Sequence, residues 1–211
     1  MDHGNGEGVY AEVFVAAMEA AAFFETDVRK LVEIGLSYIP ASCAVARAAR
    51  RAIECVEAGM DRRAARKVML EEWIGHIEWH YISPRTRPPA TRRARWAGTC
   101  PRTSSSWSIR SSAASGNFDD SILTAVSFGE YTDCTAGTIA ALYGLMHGVD
   151  CIDKKWIEPI GRGIKTISLD PFRLAGRIPA TIDEMSARVE KLFLAAREQF
   201  DLDIQFEPEG A

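Results

Sequence analysis

Apolar residues recur through the first third of the chain at the spacing of a helix rather than a strand. Tyr10, Val13, Phe14, Ala17, Met18 and Ala21 fall at i, i+3, i+4, i+7, i+8 and i+11, one face of a first helix. Asp27 is placed to cap a second, on which Val28, Leu31, Val32 and Leu36 line up before Pro40 ends it. Ser42 is an N-cap candidate for a third helix, with Val45, Ala49, Ala52, Ile53 and Val56 inward and Gly59 as its stop. Asp61 opens a fourth, with Ala65, Val68, Met69 and Trp73 on its apolar side. Short connections between amphipathic helices predict an all-α fold, a compact multi-helix bundle.

The pattern stops near Pro84 and resumes near Asn117. After the Asp119-Asp120 pair, Ile122, Ala125 and Val126 form an apolar stripe. Thr135 to His147 predicts another helix, with Ile139, Leu142, Tyr143 and Met146 on one side. A loop carries Trp156, Pro159, Gly161 and Gly163. Thr181-Ile-Asp-Glu184 then forms a capping box for a last helix running to about Phe200, before an acidic tail. One α-helical domain is expected over residues 1–211, in three stretches: a helical part at 8–83, an irregular Arg/Ser/Pro segment at 84–115, and a helical part at 116–200.

Charge sharpens the break. The chain carries −4 overall, yet residues 85–115 hold seven arginines and no Lys, Asp or Glu; the remainder therefore carries −11. Clustered arginines suit phosphates, seven serines suit a phosphorylatable loop, and the composition also fits a disordered insertion. A fourth origin explains more: arginine, proline and serine without acids or lysine is what a GC-rich coding strand gives out of frame. Two compensating frame slips would also stop and restart the helical period abruptly. A nucleic-acid partner is not expected on that account.

Composition excludes other classes. At 47% hydrophobic and 26% charged, 211 residues are enough for a domain with a buried core. Apolar runs such as 13–17 and 20–24 are too short to span a bilayer, and the acidic, polar first residues do not resemble a secretory signal. Five cysteines, an odd number with no Cys-x-x-Cys, argue against a disulfide framework or structural zinc and for a reducing, cytoplasmic setting. His76 and His80 are four apart, but Ile77 stands where the zinc-protease helix needs Glu, so they read as polar residues at a helix end.

Gly129-Glu-Tyr-Thr-Asp-Cys-Thr135 is the stretch with chemical content. A turn glycine precedes hydroxyl and acidic groups where a helix begins, and small residues from Ala136 to Gly144 would let that helix pack closely. Oxygen ligands at such a point suit a hard cation, Mg²⁺ or Mn²⁺; Asp133 or Thr132 acting as an ordinary N-cap is the plainer alternative. The stretch resembles the C-terminal metal-binding signature of the ADP-ribosylglycohydrolase family, Gly-x-Asp-Thr/Ala-Asp-Thr/Cys, which opens a helix rich in Ala and Gly. Tyr10-Ala-Glu-Val-Phe-Val-Ala-Ala-Met18, Ile39-Pro40 with the Arg47 to Glu57 helix, residues 116–122, Ile152 to Pro159 with Trp156, and Thr181 to Arg188 resemble further family segments. The likeness covers most of 8–83 and 116–195 but not the arginine segment, and is similar to the C-terminal portion of dinitrogenase reductase-activating glycohydrolases.

The resemblance implies metal-dependent hydrolysis of the bond between ADP-ribose and a protein side chain or related conjugate. Two divalent ions, held by carboxylates, would orient the ribose hydroxyls and activate a water. Carried over by position, the metal residues are Asp133, Cys134 and Thr132, while Tyr131 occupies a carboxylate's position and is not expected to bind. The implied Thr/Ser-Asp-Asp ligands of the family's N-terminal half are not supplied before Tyr10, so the chain would correspond to an incomplete, impaired enzyme. No catalytic residue is assigned beyond these. The expected partner is an ADP-ribosylated protein or ADP-ribose conjugate, without a membrane. The alternative is a non-catalytic structural or ADP-ribose-binding protein on the same scaffold.

Overall fold

The computed structural model describes residues 6–73, 117–127, 132–166 and 177–204. They form α1 (Glu7–Ala21), α2 (Val28–Ser37), α3 (Ala44–Glu57), α4 (Arg62–Trp73), α5 (Phe118–Ser127), α6 (Thr132–His147), a 3₁₀ turn (Val149–Cys151), α7 (Lys154–Ile157) and α8 (Ile182–Gln199). Among the described residues there is no strand, only an isolated antiparallel bridge between Gly163 and Thr181. The fold is all-α. The chain gathers into two compact units, Met1–Ile152 and Asp153–Ala211. The arginine segment at 84–115 and the His76 and His80 pair lie outside the described residues.

The first unit is organised around α1, which packs on α2, α3 and α6. Ala11, Phe14 and Met18 are its buried positions, followed by Ala22 at its C-terminal cap. The tightest approach is at Gly35 of α2, where a Cβ would stand 2.8 Å from both Met18 Cγ and Phe14 Cδ2. Glycine is needed there for its lack of a side chain, since real Cβ atoms do not come that close.

The helix ends follow local chemistry. Asp27 Oδ1 accepts from the Arg29 and Lys30 amides (2.8 and 3.4 Å). Asp61 Oδ1 accepts from the Arg63 and Ala64 amides (2.8 and 3.0 Å). Gly59, at φ 68°, stops α3 as expected; its N–H reaches Val56 O and the Met60 N–H reaches Cys55 O, a Schellman closure. The third helix differs at its start. Its cap is Cys43 rather than Ser42, with Sγ accepting from the Ala46 amide at 3.3 Å. The two amides before that one are taken from afar: Glu7, opening α1, accepts from Ala44 N–H (2.9 Å) and Val45 N–H (3.0 Å), one with each carboxylate oxygen. An anion across a helix N-terminus meets both orphan donors and the positive end of the dipole.

The α3–α4 contact buries Ala52, Cys55 and Ala65, with Val68 and Met69 packed against them. Burial holds the Cys43 and Cys55 thiols above their ordinary pKa, so neither is primed as a nucleophile. Cys134, by contrast, is exposed.

Of the apolar stripe expected on α5, Ala125 is buried, but the inward face is shifted from the predicted one. Phe118, Ser121, Thr124 and Ala125 are buried, whereas Val126 is 46% exposed. The hydroxyls are admitted because they find partners. Ser121 and Tyr143 share a hydrogen bond (2.7 Å), and Arg62 Nη1 donates to Thr124 Oγ1 (2.9 Å). On α6 the expected residues Ile139, Leu142 and Tyr143 are buried, joined by Thr135, whose Oγ1 has no hydrogen-bond partner among the described residues.

The second unit holds more regular structure than a loop. Asp153 caps the single turn of α7 through the Lys155 amide (2.8 Å). Thr181 Oγ1 accepts from Glu184 N–H (3.2 Å), as the capping box predicts, but the Glu184 carboxylate accepts from Ala180 N–H (2.9 Å), one residue before the cap. Arg162 pairs with Asp183 at the same end. No described helix is long and apolar enough to cross a membrane.

Three stability measurements test this packing. Glu7→Ala should lower urea-unfolding stability by about 2 kcal/mol, and Glu7→Gln, which keeps one acceptor, by roughly half as much. Gly35→Ala should destabilise by about 1 kcal/mol, because the clash outweighs a helix-propensity gain of about 1 kcal/mol. Thr135→Val should be neutral or stabilising by about 1 kcal/mol, since it removes an unsatisfied hydroxyl at constant volume; a loss of that size would show the hydroxyl is bonded.

Candidate functional site

The first turn of α6 carries the residues with ligand chemistry. The helix is fixed from its inward side, where Thr135, Ile139, Leu142 and Tyr143 are buried and α5 and α1 pack. Phe118 meets the Tyr143 ring edge-on, with centroids 6.0 Å apart and planes at 87°. The opposite side of the turn is open: Asp133 and Cys134 are exposed and Thr132 is half-buried. Tyr131 lies outside the described residues, as do 128–130.

Thr132, Asp133 and Cys134 are consecutive on the turn and offer one hydroxyl, one carboxylate and one thiol. One turn further along the helix stand Ala136 and Gly137, whose side chains carry no ligand atom. The one buried oxygen close in sequence, Thr135 Oγ1, belongs to the core face.

The Asp120 carboxylate on α5 is held by a side-chain amide. Asp120 Oδ2 accepts from Asn117 Nδ2 (2.9 Å), while Asn117 Oδ1 accepts from the Asp120 amide (2.8 Å), so this pair closes the start of α5. Among the described residues no three or more His, Cys, Asp or Glu side chains are grouped to hold a metal ion. By donor chemistry one carboxylate, one neutral hydroxyl and one soft thiol do not fit the two-cation centre that the sequence motif implies.

The small residues of α6 also behave differently from expectation. No described atom lies within 4 Å of where a Cβ would stand at Gly137 or Gly144. The close helix approach is at Gly35 instead. Sequence reasoning gave Thr135 no role, although its phase with Ile139 and Leu142 was the available sign that it points inward.

Against this geometry, comparison with known proteins gives one result. A model of the ADP-ribosylglycohydrolase family matches residues 1–194, starting before the first motif that carries the resemblance and running past the arginine segment. No curated protein and no solved structure matches the chain. A match over nearly the whole length, on a chain whose described residues are helical, decides the question: the chain belongs to the ADP-ribosylglycohydrolase family.

Proposed function

We propose that the chain is an ADP-ribosylglycohydrolase-like hydrolase whose substrate class is ADP-ribose joined through its anomeric carbon to a protein side chain or a related group. The reaction is hydrolysis of that glycosidic bond, and the region that meets the ribose is the open side of the first α6 turn. Asp133 carries the proposal. It is an exposed carboxylate at the start of a helix whose other side is packed, so its position is set by the fold rather than by a loop. It also stands where the family signature has its second aspartate.

Turnover is expected to be low. Tyr131 replaces a carboxylate by a neutral phenol, removing a full negative charge from a site that family members use to hold cations. The exposed, lone carboxylate also favours a second reading, an ADP-ribose-binding protein that does not turn over. Calorimetry with ADP-ribose separates the two when set beside an activity assay.

With an ADP-ribosylated peptide and Mg²⁺ or Mn²⁺, hydrolysis should run more than about a hundredfold below that of a family member with a full ligand set, given that disturbing only the support of a metal ligand already costs 10–100-fold. Asp133→Asn should abolish what remains. Turnover equal to that of complete family members, or a residual activity indifferent to Asp133→Asn, would overturn the assignment.

A further inference from the structure

We infer that the turn opening α6 has lost the divalent-cation centre that its family motif encodes, and that it holds a hard cation no better than a single surface carboxylate does. This rests on the functional reading above only for where the centre would lie. A small divalent cation such as Mg²⁺ keeps near-octahedral oxygen coordination and gives up its water reluctantly, so protein sites supply it with carboxylates and affinity follows their number.

Here Asp133 is the one carboxylate on the turn among the described residues, and it faces solvent. Thr132 brings no charge. Cys134 brings a soft sulfur that favours other metals. The positions one turn on, 136 and 137, are Ala and Gly. Thr135 is buried in the core. Asp120, at the start of α5, is closed onto Asn117. The neutral phenol at Tyr131 and the single described carboxylate on the following turn thus point the same way.

Electron paramagnetic resonance of Mn²⁺ titrated into the full chain is the test, because it reads binding without turnover. The free-ion signal should persist with no stoichiometric site up to about 1 mM Mn²⁺, and Asp133→Asn should leave it unchanged. Tyr131→Asp, with its fold checked by circular dichroism, should tighten Mn²⁺ binding at least about tenfold, and adding Asp133→Asn to it should reverse the gain. One or two Mn²⁺ bound by the unaltered chain below about 10 µM would overturn the inference. So would a folded Tyr131→Asp variant with unchanged affinity. Calorimetry of ADP-ribose with a separate, metal-free sample tests the ligand reading apart from the metal: heat of binding supports an ADP-ribose site, as both readings above require, and silence counts against both, whatever Mn²⁺ does.

Discussion

The first unit depends on how closely α1 can approach its neighbours. One helix cannot touch α2, α3 and α6 together unless each contact is short, and at Gly35 the contact is shorter than any side chain permits. Phe14 and Met18 fill the space a Cβ would need. The second restraint acts at the start of the same helix, where the two oxygens of Glu7 receive the first amides of α3. Close packing fixes the distance between helices, and the carboxylate fixes their ends. Both involve residues far apart in the chain, so neither forms until the bundle does.

From α1 the order passes to α6 and then to α5, whose interface is partly polar. Buried hydroxyls are tolerated where each has a partner, as with Ser121 on Tyr143 and Thr124 on Arg62. The second of these also joins α4 to α5, helices on either side of the arginine segment in sequence. Thr135 is the exception, a buried hydroxyl without a bond next to the turn that carries the family motif.

Much of this was legible in the sequence, because helix periodicity and most caps are local. Asp27, Asp61, Thr181 and the stop at Gly59 each act within a few residues of themselves, and each stands where the pattern placed it. What was not legible depends on pairs. Cys43 displaces Ser42 as the cap of α3 in a helix start whose first two amides are already satisfied by Glu7, 37 residues away. The inward face of α5 cannot be found from apolarity, because Ser121 and Thr124 are buried by virtue of their partners. The small residues of α6 look like a packing surface in one dimension, whereas the close approach belongs to a glycine on another helix. At the site, Asp133 lies in the first turn of α6, where the sequence has a helix begin, whereas the burial of Thr135 two residues on depends on the helices packed against it.

On α6 the residues that pack and the residues with ligand chemistry are different sets. The stability of α6 comes from the side that carries Thr135, Ile139, Leu142 and Tyr143, and none of these is a ligand by the motif. Asp133 and Cys134, on the outer side, bury little and contribute little to packing. A substitution of Asp133 or Cys134 would therefore change the chemistry of the turn without opening a cavity in the bundle. The buried side of the turn carries none of the motif's ligand positions, so its packing does not run through them.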